Sequence, residues 1–190
     1  MAEKKALSYE LNQDMLALIR REFDIEKVVT RFSEAIANKS KQQIEEIGKE
    51  IFAEYGRDLI QRTLQLGEEY PDRTYEVLKE AIDQLGGYYK FALLPQRFLE
   101  IAYSSILELA NLPVMENSPR RLAYRITDCP IYKSLTDKCG KDVAKLMVCK
   151  HVCLTAMDVL HQGLDLDAVA SMEASLPKSG YCQFSASKSL

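Results

Sequence analysis

The chain has 190 residues, of which 47% are hydrophobic, and it carries a formal net charge of −3. This length suits one domain, or one domain with a helical extension, and the apolar fraction is sufficient for a packed core. Nucleic-acid-binding domains are usually basic, so the charge disfavours that class. Residues 98–114 are the most apolar stretch, but Glu100 and Glu108 interrupt it, so no membrane span is expected.

The cellular compartment follows from the first residues. Met1 to Ala6 contain no apolar run of the kind that a secretion signal needs, so we expect a cytoplasmic protein. Cytosolic thiols are normally reduced. The five cysteines are therefore expected to be free thiols or metal ligands rather than disulfides.

Apolar residues recur at helical spacing throughout the first half of the chain. The pattern over residues 44–64 predicts one long helix, with Gly67 just past its end as a left-handed cap. Pro71 opens another helix, which stops at Gly86. We expect residues 1–87 to form a helical region whose helices are the candidate surface for a homodimer or a protein partner.

Residues 88–119 fit two alternatives. Pro95 is a suitable first residue for a helix that runs through Leu109. The aromatic residues of 88–91 also suit a strand. A turn is expected at 117–119, which reads Asn-Ser-Pro.

The hydrophobic period changes from helical to alternating near residue 120. Residues 121–128 read as a half-buried strand, and residues 167–176 and 181–186 read as two more, joined by a hairpin-like turn. A continuous helix is predicted over 141–161. The expected fold is α+β: a helical N-terminal half, then an antiparallel sheet packed against a cysteine-bearing helix. Residues 88–190 are expected to share one core with the helical region.

Four cysteines lie at predicted junctions between elements. Cys129 ends a strand, Cys149 and Cys153 lie on the predicted helix, and Cys182 begins the last strand. Residues four apart share a helix face, whereas His151 lies on the opposite side of a regular helix. If the strand ends converge on the helix, the four thiolates form a site for zinc or an iron–sulfur cluster.

A purely structural explanation competes with the metal site. The two helix cysteines belong to one apolar stripe, and cysteine is commonly a small buried hydrophobic residue. The members of the stripe are Leu146, Cys149, Cys153, Ala156 and Leu160.

The remaining polar candidates have equally simple alternatives. His151 and His161 are expected to face solvent or to lie at a helix end. Arg120, Arg121 and Arg125 suit a carboxylate or phosphate, but a solvated strand edge explains them as well.

Residues 124–186 resemble the C-terminal part of the L-2-amino-thiazoline-4-carboxylic acid hydrolase-like family. The matching features are Cys129-Pro130 with Tyr132, a cysteine-bearing helix, and a final Gly-Tyr-Cys-Gln-Phe strand that contains Cys182. The same tail resembles the ligand-binding domain related to bacteriochlorophyll 4-vinyl reductase. Those families favour Gly-Asp in the turn before the last cysteine, whereas this turn reads Lys-Ser-Gly at 178–180.

The first resemblance implies a cysteine- or metal-dependent hydrolase that opens a cyclic C–N bond, with the Cys153 thiolate as nucleophile or metal ligand. The second implies a binding or assembly module for a tetrapyrrole or another large apolar ligand. Its pocket would lie between the sheet and the cysteine-bearing helix. The missing acid in the turn favours the binding module. The expected pocket is lined by Tyr124, Met157, Met172 and Tyr181.

Overall fold

The computed structural model describes residues 13–69 and 73–189 of the chain. The helices in these ranges are Gln13–Glu22 (α1), Ile25–Ala35 (α2), Lys41–Glu69 (α3), Arg73–Leu85 (α4), Gly87–Ser104 (α5), Pro130–Cys139 (α6), Lys141–Ala144 (α7), Lys150–Gly163 (α8) and Leu176–Ser179 (α9). The strands are Val114–Asn117 (β1), Arg121–Ile126 (β2), Ala168–Ala174 (β3) and Cys182–Lys188 (β4).

The four strands form one antiparallel sheet in the order β1-β2-β4-β3. Side chains alternate between its two faces, and Tyr124 of β2 is paired with Phe184 of β4 on the inner face. Helices α5 and α8 contact the strands on that side. The predicted α+β fold, with a helical N-terminal half and an antiparallel sheet, is confirmed.

One continuous core joins the helical half to the sheet. Its buried residues extend from Met15 on α1 to Ala186 on β4. The long predicted helix is confirmed and is longer than expected, since α3 runs from Lys41 to Glu69. Pro71, where the next helix was expected to begin, lies outside the described residues.

The central contact of the fold is between α3 and α8. A Cβ built on Gly56 would overlap the carbonyl oxygen of Val152 and lie 2.9 Å from its Cα. At Gly48 an added Cβ would lie 2.6 Å from the Cβ of Val148. The two backbones therefore approach each other where α3 has no side chain.

The glycine expected to cap the long helix has another role. Gly67 lies inside α3, and a Cβ there would come within 2.7 Å of the Phe98 ring on α5. Glycine suits this position because it has no side chain to meet the Phe98 ring, and not because it adopts a left-handed conformation.

The ambiguous segment 88–119 is mostly helical. Helix α5 begins at Gly87 and ends at Ser104, so Pro95 lies within the helix instead of starting it. The strand alternative for 88–91 is wrong, and so is the extension of the helix to Leu109. The chain then forms β1, a strand that the sequence did not predict, and returns through residues 118–120 to β2.

The predicted continuous helix over 141–161 is wrong. The chain leaves helical geometry after Ala144, and Met147 adopts a left-handed conformation with φ of 57° before α8 begins. Met147, Val148 and Cys149 are all buried. Consecutive residues on a continuous helix are about 100° apart, so one face cannot bury all three; the break allows it. Leu146 accordingly lies outside α8.

Two further elements were not predicted. Helix α6 starts directly at Pro130, which ends the strand and is also well suited to a first helical position. The residues expected to form the last hairpin turn make the short helix α9, followed by Gly180 in a left-handed conformation.

We expect Gly56→Ala to destabilise the protein by about 3 kcal/mol or more, because the new methyl group meets backbone that cannot move aside easily. Helix propensity alone would predict the opposite sign, since alanine favours a helix over glycine by about 1 kcal/mol. Urea denaturation measures the difference.

Gln61→Ala, at an exposed position of the same helix, is the matched control and should change stability by less than about 0.5 kcal/mol. A Gly56→Ala protein as stable as the parent would contradict the close packing of α3 on α8.

Candidate functional site

Cys129 lies at the surface end of the candidate site. It is the N-cap residue of α6 and is partly exposed. Burial raises the pKa of its thiol to about 11, and the backbone amides of Tyr132 and Ile131 offset this only in part. The thiol is therefore protonated at neutral pH.

The two cysteines of α8 lie deeper. Cys149 is the N-cap residue of the helix and is 6% exposed, and Cys153, one turn further on, is 7% exposed. Burial is the main cause that raises the pKa of Cys149. The thiols of Cys129, Cys153 and Cys182 raise it further, because their thiolate charges would repel a thiolate at Cys149.

Cys182 brings the last strand to the same place. It is 4% exposed at the start of β4, on the inner face of the sheet. Burial raises the pKa of its thiol, and a hydrogen bond from the backbone N–H of Leu176 lowers that pKa by a smaller amount. Since Cys182 also raises the pKa of Cys129 and of Cys153, the four thiols interact with one another. We call Cys129, Cys149, Cys153 and Cys182 the thiol cluster.

The fifth cysteine has different surroundings. Cys139 is the last residue of α6 and is partly exposed. Burial raises the pKa of its thiol, while a hydrogen bond with Ser33 and the charge of Lys138 lower it.

Two buried tyrosines adjoin the thiol cluster, and we call them the tyrosine pair. The hydroxyl groups of Tyr103 on α5 and Tyr124 on β2 are 3.2 Å apart. Tyr103 also hydrogen bonds with Cys153, and the ring of Tyr124 stacks on Phe184 at a centroid distance of 5.8 Å. Burial raises the pKa of both hydroxyls well above the ordinary tyrosine range.

These side chains define the chemistry of the site. Thiols and phenols that stay protonated are weak hydrogen-bond donors and acceptors, whereas a nucleophile or a metal ligand requires the thiolate. Burial raises the pKa of Cys153, and the hydrogen bond from Tyr103 offsets this only in part. Within residues 13–69 and 73–189, no three His, Cys, Asp or Glu side chains are arranged to hold a metal ion. The buried thiols are therefore weak nucleophiles at neutral pH.

The four residues expected to line a ligand pocket do not meet. Tyr124 and Met157 are buried, and Met172 is partly buried on the inner side of β3. Tyr181 lies on the outer face, where the guanidinium of Arg125 sits 4.3 Å from its ring centre. Cys182 points inward, and neighbouring strand residues point to opposite faces, so Tyr181 cannot join the others.

The outer face of the sheet carries a polar network that includes two of the three candidate anion-binding arginines. Arg121 forms ion pairs with Glu116 and Glu173, and Arg125 donates to Gln183. Hydrogen bonds from Ser185, together with Arg121, lower the pKa of Glu173 to about 2. Both arginines are thus engaged within the protein.

Some site residues were not foreseen. Tyr103 lies in segment 88–119, for which the sequence allowed both a helix and a strand. Tyr132 belongs to the Cys129-Pro130 motif, which gave it no role in a site. His161 lies in the last turn of α8, which is one of the two expected positions, and it is 2% exposed there. His151 is partly buried, and burial lowers its pKa to about 4.

Comparison with known proteins adds no assignment. No protein-family model, curated protein or solved structure matches the chain. Among the helices of the described residues, none combines the length and apolar character needed to cross a membrane. The cytoplasmic location and the partner on the N-terminal helices stay predictions.

We expect Tyr103→Phe to destabilise the protein by about 1–2 kcal/mol, because the lost hydroxyl serves both Tyr124 and Cys153. Tyr124→Phe should cost a similar amount, and the double variant less than the sum, since both changes disrupt one hydrogen bond. Chemical denaturation of the four proteins gives the coupling.

Tyr132→Phe, at a partly exposed position, serves as the control and should be close to neutral. Strictly additive effects of Tyr103→Phe and Tyr124→Phe would mean that the two hydroxyls do not interact.

Thiol alkylation should follow exposure and pKa. At about pH 7 only about one Cys129 in 10⁴ is ionised, so iodoacetamide should modify Cys139 first, Cys129 slowly and the other three only after unfolding. The rate at Cys129 should rise about tenfold per pH unit up to about pH 10. Peptide mass spectrometry of timed samples reports each site, and rapid labelling of Cys153 in the folded protein would contradict the burial.

Proposed function

We propose that the protein is a non-catalytic binding module whose ligand site comprises the thiol cluster and the tyrosine pair. The supporting observation is convergence. Helices α5, α6 and α8 and strands β2 and β4 each direct a thiol or a hydroxyl toward one region of the core. Cys129 and Tyr132, which are partly exposed, form the end of this region nearest the solvent.

The proposed ligand is large and apolar, with few polar atoms. The lining offers aromatic rings together with protonated thiols and hydroxyls, and the Asp128 carboxylate acts on it at Cys129, the end nearest the solvent. Such a surface suits an apolar molecule that carries a few acceptor atoms. A tetrapyrrole, which the vinyl-reductase resemblance implies, belongs to this class.

Ligand entry requires a change of conformation. The tyrosine pair and the thiols of Cys149, Cys153 and Cys182 are each at most 7% exposed. The elements that carry them therefore have to separate before a large ligand is seated among them.

The hydrolase alternative has less support. It needs a thiolate at Cys153, and a nearby cation or base would have to lower the pKa of that thiol. Lys150 and His151 are adjacent in sequence, but neither contributes to the pKa of Cys153, which is raised. Zinc or iron–sulfur binding by the thiol cluster also has less support, because no three His, Cys, Asp or Glu side chains of the described residues are arranged to hold a metal ion.

Titration of the protein with protoporphyrin IX, followed by absorbance and fluorescence, tests the proposal. We expect saturable binding, and we expect Cys153→Ala to weaken it at least about tenfold, because it alters the centre of the site. Cys139→Ala, which changes a cysteine outside the thiol cluster, is the matched control and should bind like the parent. Circular dichroism verifies that both variants are folded.

Two results would overturn the proposal. Equal binding by both variants would place the ligand elsewhere in the molecule. Turnover of 2-amino-thiazoline-4-carboxylate that is lost in Cys153→Ala, without porphyrin binding, would favour the hydrolase. Metal analysis and an absorbance spectrum of the purified protein complete the comparison, because an iron–sulfur cluster absorbs visible light and zinc does not.

A further inference from the structure

Helix α4 and the first part of α5 form a helical pair. Leu78 and Ile82 on α4 pack against the hydrophobic core, and Leu94 on α5 belongs to it. Among the described elements, α4 makes its extensive contacts with α5 alone. The chain reverses between the two helices at Gly86, whose φ is 78°. We call α4 and the first part of α5, residues 73–94, the helical arm.

The helical arm ends at a weak point of α5. Pro95 has no N–H group, so the carbonyl of Phe91 loses its usual helical hydrogen bond there. After Pro95 the helix is firmly held, since Phe98, Leu99 and Ala102 are buried in the core. A change of angle at Pro95 would leave the second half of α5 in place and would withdraw Leu94 from the core.

Two contacts attach the arm to the C-terminal end of α8. The buried ring of Phe91 lies 5.9 Å from the imidazole of His161. The ammonium group of Lys90 is 3.8 Å from the Asp165 carboxylate and 3.5 Å from the Asp165 carbonyl oxygen. The first contact is apolar and enclosed, and the second is exposed to solvent.

His161 fits its position only as a neutral ring. Its Nδ1 lies 2.6 Å from the carbonyl oxygen of Met157. This nitrogen therefore carries the hydrogen and donates it, which leaves Nε2 as the unprotonated nitrogen. Nε2 is buried and has no hydrogen-bond partner among the described residues. Adding a proton would create a buried N–H donor and a positive charge without an acceptor.

The charges around His161 do not compensate for that proton. Asp158 on α8 favours the protonated ring, but burial has the larger, opposite effect and lowers the pKa of His161. Asp158 is the charged side chain that acts on the ring, while Lys90 on α5 and Asp165 after α8 engage each other.

We propose that protonation of His161 releases the helical arm from α8, so that the arm is closed at neutral pH and opens on acidification. The direction follows from the linkage between folding and proton binding. A histidine whose pKa is lowered in the closed state contributes its full stability above the unperturbed value of about 6.5, and that stability is lost as the pH falls below it. The proposal does not depend on the identity of the ligand.

Hydrogen exchange with mass spectrometry tests the release, at about pH 7.5 and about pH 5.5 after correction for the intrinsic exchange rate. We expect peptides from residues 73–94 to lose protection at least about tenfold at the lower pH, whereas peptides from β2 and β4 do not. Phe91→Ala should expose the arm at both pH values, because it removes the enclosed contact.

The two histidines of the chain provide the discriminating variants. His161→Met replaces the imidazole with an apolar side chain of similar length that cannot be protonated, so it should abolish the pH response. His151→Gln should retain the response. Asp158→Asn should also retain it, which separates His161 from the neighbouring carboxyl group.

Several outcomes would overturn the proposal. One is equal acid-induced opening in the parent and in His161→Met, and another is an arm that stays protected at about pH 5.5. If His161→Met does not fold, NMR titration of the two histidines in the parent protein provides the test. A folded-state pKa for His161 at or above about 6.5 excludes the mechanism.

Discussion

The absence of a side chain at Gly56 sets the distance between α3 and α8, and the candidate site depends on that distance. The carbonyl of Val152 occupies the space in which a β-carbon would otherwise lie. Val152 is the residue before Cys153, so this contact fixes the depth of the α8 thiols. Tyr103 reaches Cys153 from α5 and Tyr124 reaches Tyr103 from the sheet, which means that a larger separation of the helices would break the chain of hydrogen bonds.

The sequence predicted those elements whose pattern is local. Strands β2 and β4 alternate regularly, and α3 keeps its helical period over 29 residues. The break at Met147 could not be predicted in this way, because its cause is the burial of three successive residues against other elements. Helix α6 was missed for a different reason: the expected strand ended at Cys129, and Pro130 directly after it, a favourable first residue of a helix, was not used to predict one.

The candidate site was predicted only in outline. Cysteines at element junctions drew attention to the correct region, but Tyr103 became part of it only through the packing of α5. The error at Tyr181 was avoidable, since an inward Cys182 requires its neighbour to point outward. His161 differs again, because a histidine at a helix end is usually exposed, and it is buried here by α5 and by the turn of the chain at Asp165.

The outer face of the sheet bears on how the molecule behaves at high concentration. Ala123 and Ser185 lie on that face, yet both are buried, because the long side chains of the polar network lie across them. Two such sheets cannot stack flat on each other without stripping Arg121 and Glu173 of their shared contacts and of their water. The network therefore acts as a barrier to face-to-face aggregation.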